Sequence, residues 1–148
     1  MLKYRKILCP FEFDENSKDA LLLSRALAKE SNATLYVLHI AGVPTHDMDV
    51  PLPFDADPRW EKEARDKLAR IVSRALKGEV QYVIDVRSGA PDIDIVRAAK
   101  ELAVDLIVMF THGRHGFEHF VQGSVTEHVT REAPCPVLVL HQPSTKSA

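Results

Sequence analysis

The chain predicts an α/β fold: one domain, a three-layer α/β/α sandwich around a five-stranded parallel sheet. Three observations carry that prediction. Short apolar runs alternate with helix-length amphipathic segments in the order β-α-β-loop-α-β-α-β-loop-α-β, the pattern of parallel strands joined by right-handed helical crossovers. Most of those runs hold few polar residues, as strands covered on both faces require. The length, 148 residues, suits a single core of this size.

Composition narrows the partners. The formal charge is −2 with acids and bases interspersed, and no basic block or basic-aromatic stretch points to nucleic acid. The N-terminus, MLKYRKILCP, runs from charged residues straight into a short strand. It lacks the long apolar segment of a signal peptide or membrane span, so a cytoplasmic protein is expected. Cys9 and Cys135 lie far apart, with neither CxxC spacing nor a ligand cluster; both are expected to be buried, reduced thiols.

Lys6 to Pro10 reads as the first buried strand. Asp14 can cap the next helix, whose inner face is expected at Ala20, Leu23 and Leu27 and whose end falls near Ser31-Asn32. Thr34 to Ile40 is the second buried strand. Residues 42–58 hold four prolines, a density that rejects both helix and interior strand. His46, Asp47 and Asp49 in that stretch match no rigid metal site and read as solvated loop polars. From Arg59 to Lys77 a helix presents Trp60, Ala64, Leu68, Ile71 and Ala75 as one stripe, with Glu61–Arg65, Glu63–Lys67 and Asp66–Arg70 able to pair outside. Gly78 ends it. Alternation over Val80, Tyr82, Ile84 and Val86 predicts a half-exposed strand at a sheet edge. Gly89 precedes a helix with Pro91 in its first turn and Ile95, Ala98 and Leu102 inside.

The stretch Asp105 to Leu140 organises the rest. Leu106 to Phe110 is a buried strand, Thr111 to Gln122 a polar loop containing Gly113, and Gly123-Ser124 opens a helix with Glu127 as capping-box partner. Strand, glycine-bearing loop and helix start together suit an anion, because free N–H groups and the positive end of the helix dipole meet there. The same Gly-Ser start also serves capping alone. Pro136 to His141 closes the sheet, and residues 142–148 are expected to be a disordered tail beyond a domain of residues 1–141. In a sheet of this kind ligands bind past the carboxyl ends of the strands where the strand order reverses. That places Pro10-Phe11-Glu12, Ile40 and Phe110-Thr111 around one crevice facing the Ser124 helix.

These residues together resemble the universal stress protein family, from about Tyr4 to Leu140. The first-strand signature is Ile7-Leu8-Cys9-Pro10-Phe11-Glu12-Phe13-Asp14, the end of the second strand His39-Ile40, and the G-x-P turn Gly89-Ala90-Pro91. The nucleotide motif is Phe110-Thr111-His112-Gly113, nine residues, then Gly123-Ser124, and the closing segment runs from Ala133 to Val139. The resemblance implies a Rossmann-like fold of the adenine nucleotide alpha hydrolase type. It also implies ATP as a regulatory ligand, alone or with Mg2+. Carried over, Gly113, Gly123, Ser124 and Val125 hold phosphate and Pro10, Glu12, Ile40 and Met109 surround the nucleoside, with Thr111 also part of the nucleotide site. Three residues depart from the family pattern: Phe110 replaces the first motif glycine, Glu12 an aspartate, and Phe11 a small residue. Two phenyl rings on adjacent strand ends could fill the nucleoside space, so the alternative is a dimeric interaction module without nucleotide, its pocket plugged by Phe11 and Phe110.

An enzyme is not expected. His112, His115 and His119 could serve as acid or base beside a phosphate, but a solvated loop accounts for them. Neither a Walker lysine nor G-x-S-x-G nor HExxH occurs. Any ATP hydrolysis is expected to be slow and incidental. Two partners are expected: an unidentified protein, and a second copy of the chain joined through Val137 to Leu140, an uncharged edge strand of the kind the family uses for dimers.

Overall fold

The computed structural model describes residues 3–42, 59–111 and 124–142. Five strands, β1 (Lys6–Pro10), β2 (Thr34–Ala41), β3 (Tyr82–Ser88), β4 (Leu106–Phe110) and β5 (Val137–Leu140), form one parallel sheet in the order β3-β2-β1-β4-β5. Four helices connect them: α1 (Glu15–Ser31), α2 (Arg59–Leu76), α3 (Pro91–Leu102) and α4 (Ser124–Glu132). The predicted three-layer architecture is the observed one. Both edges are the expected ones, β3 from its alternation and β5 from the topology.

Each interior strand feeds two cores, as period-2 alternation demands. Ile7, Cys9, Leu35, Val37, Leu106 and Val108 meet α1 and α2 on one face. Leu8, Leu38, Ile107 and Met109 meet α3 and α4 on the other. Asp14 caps α1 as expected, its Oδ1 accepting from Ser17 N at 2.8 Å.

The inner face of α1 matches the expected one at Ala20 alone. Ser17, Ala20, Leu21, Ser24 and Ala28 are buried, while Leu23 and Leu27 only flank the cluster. Small residues let the helix lie close to the sheet, and the Ser24 hydroxyl is satisfied by donating to Ala20 O at 2.7 Å. In α2 the deepest residues are Leu68, Val72 and Leu76, with Trp60, Ala64, Ile71 and Ala75 beside them. The Glu61–Arg65 pair closes at 3.1 Å, whereas Lys67 stands over the Phe13 ring, 4.6 Å from its centroid. The helix stops at Leu76, where Lys77 and Gly78 turn to positive φ.

The glycine of the G-x-P turn has a steric reason. Gly89 holds φ 155, and a Cβ there would run into Asp94, whose Oδ2 accepts from Ala90 N at 2.7 Å and so ties down the start of α3. Cys9 is buried and Cys135 half-buried, and both are free thiols. Burial pushes the Cys9 thiol up to about 12 despite its bond with Ser24. Gln142 donates to Asn16 Oδ1 at 3.3 Å, so the chain is still held one residue past the expected domain end. The expected tail beyond it, 143–148, and the proline-rich segment with His46, Asp47 and Asp49 lie outside the described residues. No helix among the described residues is long and apolar enough to cross a membrane.

Candidate nucleotide site

The chain runs outward from β1 through β2 to β3, then crosses back to place β4 and β5 on the other side of β1. The order therefore reverses between β1 and β4. There the sheet also parts. The β1–β4 ladder ends at Leu8↔Ile107, while β1 stays paired with β2 to Pro10↔Leu38 and β4 with β5 to Phe110↔Leu140. Two neighbouring strands that stop bonding to each other while continuing to bond outward leave a cleft at their carboxyl ends.

Of the residues predicted around that cleft, Pro10, Glu12, Ile40, Met109 and Thr111 all sit at the carboxyl ends of β1, β2 and β4. Ile40, Met109 and Val125 pack against the same α3–α4 cluster, so the second strand, the fourth strand and the first turn of α4 converge on one face. Met109 is only 4% exposed, so its thioether is a wall and any polar contact from it must come from the main chain. Thr111 N already donates to Leu140 O at 2.8 Å. Ser124 is the first residue of α4 itself, one position inside the expected cap, and Glu127 pairs forward with Arg131 at 3.7 Å. The positive end of the helix dipole is still at Ser124. Gly113 and Gly123, with His112, His115 and His119, lie outside the described residues.

Phe11 and Phe110 require a correction. Phe11 is 1% exposed and belongs to the α1–α2 core, its ring edge-on to Phe13 at 5.6 Å; Phe110 is half-buried and packs against that same core. Both rings thus lie on the opposite face of the sheet from Ile40, Met109 and Val125. Parity along β1 and β4 decides this, since Phe11 shares the side of Ile7 and Cys9, and Phe110 that of Leu106 and Val108.

The loop from Pro10 to Asp14 is tied to its surroundings through Phe11 and Glu12. Phe11 N donates to Leu38 O at 2.8 Å, and Glu12 N to Ser17 Oγ at 3.0 Å. Phe11 O lies 2.8 Å from His39 Nδ1. Phe13 takes φ 61, a left-handed conformation that costs a bulky residue about 1–3 kcal/mol and persists only where its surroundings enforce it. Sequence reading gave His39 and Ser17 no part in this. The H-V strand end was the only signal for the histidine, and nothing local links it to a carbonyl in another strand's exit loop.

A concavity of about 450 Å3 lies between α3 and α4. Ile93, Val96, Arg97, Lys100, Glu101, His128 and Glu132 line it. Among the described residues no group of three or more His, Cys, Asp or Glu side chains can hold a metal ion.

The comparisons agree with this fold. A universal stress protein of Methanocaldococcus jannaschii is 33% identical over 147 residues, covering 95% of this chain and 84% of that protein. Two solved structures share the fold: a universal stress protein in complex with cAMP (TM-score 0.71, 21% identity, 95% of this chain and 98% of that one) and an Arabidopsis thaliana universal stress protein family protein with AMP bound (TM-score 0.64, 15% identity, 97% and 96%). The model of the universal stress protein family matches residues 3–141, nearly the whole chain and every element described above, and the chain belongs to that family.

Proposed function

We propose that this protein binds an adenine nucleotide, ATP in the first instance, as a regulatory ligand in the cleft between β1 and β4, without being an enzyme. The observation that carries the reading is the parting of β1 from β4 at the point where the strand order reverses. Its residues suit the ligand. Glu12 is an exposed carboxylate able to accept from ribose hydroxyls, Ile40 and Met109 offer an apolar wall for a base, and the start of α4 offers amides and a positive dipole end to phosphate. Relatives of the same fold, solved with cAMP and with AMP, support an adenine nucleotide as the class. Mg2+ would arrive on the phosphates, the way it commonly binds beside one or two carboxylates. A pocket plugged by Phe11 and Phe110 loses support, since both rings pack on the other face.

Calorimetric titration with ATP tests this reading against a Gly123→Val variant. A branched side chain next to Ser124 should crowd the phosphate and abolish the binding heat. Unchanged affinity in a folded variant would remove the assignment.

The protein is also proposed to pair with itself along β5. The two sheet edges are not alike. On β3, Arg87 bonds Asp85 at 2.9 Å and Glu101 at 2.8 Å. Burial opposes the Arg87 charge, but those two carboxylates outweigh it and hold its pKa above the usual value. Charges of this sort blunt an edge. No residue of β5 is charged, and Leu138 on it is 40% exposed.

A further inference from the structure

We propose that His39 is a positioning residue for the nucleoside half of the site, holding the Pro10–Phe13 loop in its binding shape before any ligand arrives. The inference rests on the nucleotide reading above and adds a residue that the family motif leaves without a role. A carbonyl oxygen can only accept, so at 2.8 Å from Phe11 O the His39 Nδ1 must carry the hydrogen, and Nε2 is the acceptor nitrogen of the neutral ring. The bond ties the end of β2 to the exit of β1, two elements joined otherwise at this level by Phe11 N to Leu38 O.

The same imidazole packs against Phe13, ring centroids 4.5 Å apart at 61°. Phe13 is further confined by Phe11 edge-on at 5.6 Å and by Lys67 Nζ 4.6 Å from its centroid. That enclosure is what keeps a phenylalanine at φ 61. Glu12 lies between the two residues His39 touches, with its own amide bonded to Ser17 Oγ at 3.0 Å. A change at His39 therefore reaches Glu12 through the backbone on either side of it, and a preorganised loop spares the ligand the entropy of ordering it.

The test combines binding with a spectroscopic readout. Affinities for ATP and adenosine are measured by calorimetry on the wild type, His39→Leu and His39→Asn, whose amide can donate from nearly the place of Nδ1. One lost carbonyl bond predicts about a tenfold weaker His39→Leu for both probes, with His39→Asn recovering most of the loss. Nitrogen NMR of the free wild type should show the His39 ring protonated at Nδ1. Should His39→Leu fail to fold, His39→Asn and the tautomer decide. Unchanged affinity in His39→Leu, an Asn variant as weak as a folded Leu variant, or an Nε2–H tautomer each overturns the proposal. A wild type that takes up neither probe overturns the nucleotide reading and this inference together, whereas wild-type binding unmoved by His39→Leu overturns this inference alone.

Discussion

Replacing Phe11 with alanine should lower the unfolding free energy by about 3–5 kcal/mol, the usual loss for a fully buried phenyl ring, without improving the affinity for ATP. The ring is buried in the α1–α2 core, and its removal leaves a cavity in a close-packed interior. That cavity opens on the face away from Ile40, Met109 and Val125. Urea unfolding followed by circular dichroism gives the stability, and calorimetry on the folded variant gives the affinity. A loss below about 1 kcal/mol, far under the range for buried aromatics, or a gain in ATP binding would return Phe11 to the role of plug.

Leu138→Lys should convert a dimer into monomers. Pairing two copies of β5 antiparallel about a two-fold axis satisfies the free strand edge and buries the exposed Leu138. In such a pair the two introduced ammonium groups come close together and must lose water, at a cost of about 3 kcal/mol, on the order of a hundredfold in dissociation constant. Leu138 is the better probe than Val139, which packs into the α3–α4 core, where a lysine would unfold the subunit instead of parting it. Light scattering at micromolar concentration should find the wild type dimeric and the variant largely monomeric with unchanged circular dichroism. A monomeric wild type contradicts the edge argument.

Much of this was legible in the residues for reasons that can be named. Asp14 announced the start of α1 because a carboxylate three residues before an amide is a local device, and the structure has that bond. The β3 edge was legible because solvent imposes alternation and charge on it, and the β5 edge followed from the βα order of the chain, its own residues being uncharged. The direction of Phe11 and Phe110 was not. A strand buried on both faces is apolar at every position, so no pattern says which core a ring joins until the register with its neighbours is known. The inner face of α1 was legible only at Ala20: Leu23 and Leu27 drew attention by size, whereas Ser17, Leu21, Ser24 and Ala28 are the other residues buried there. His39 was beyond local reading altogether, since its partner is a backbone carbonyl 28 residues away.

The cleft between β1 and β4 is tested most directly by titrating nitrogen-15-labelled protein with ATP and following each backbone amide. Binding there predicts that the amides of Glu12, Ile40, Thr111 and Val125 shift together and saturate at one concentration, while those lining the α3–α4 groove, Ile93 and His128 among them, stay in place. No shift at saturating ATP, or shifts confined to that groove, would contradict the assignment of the site.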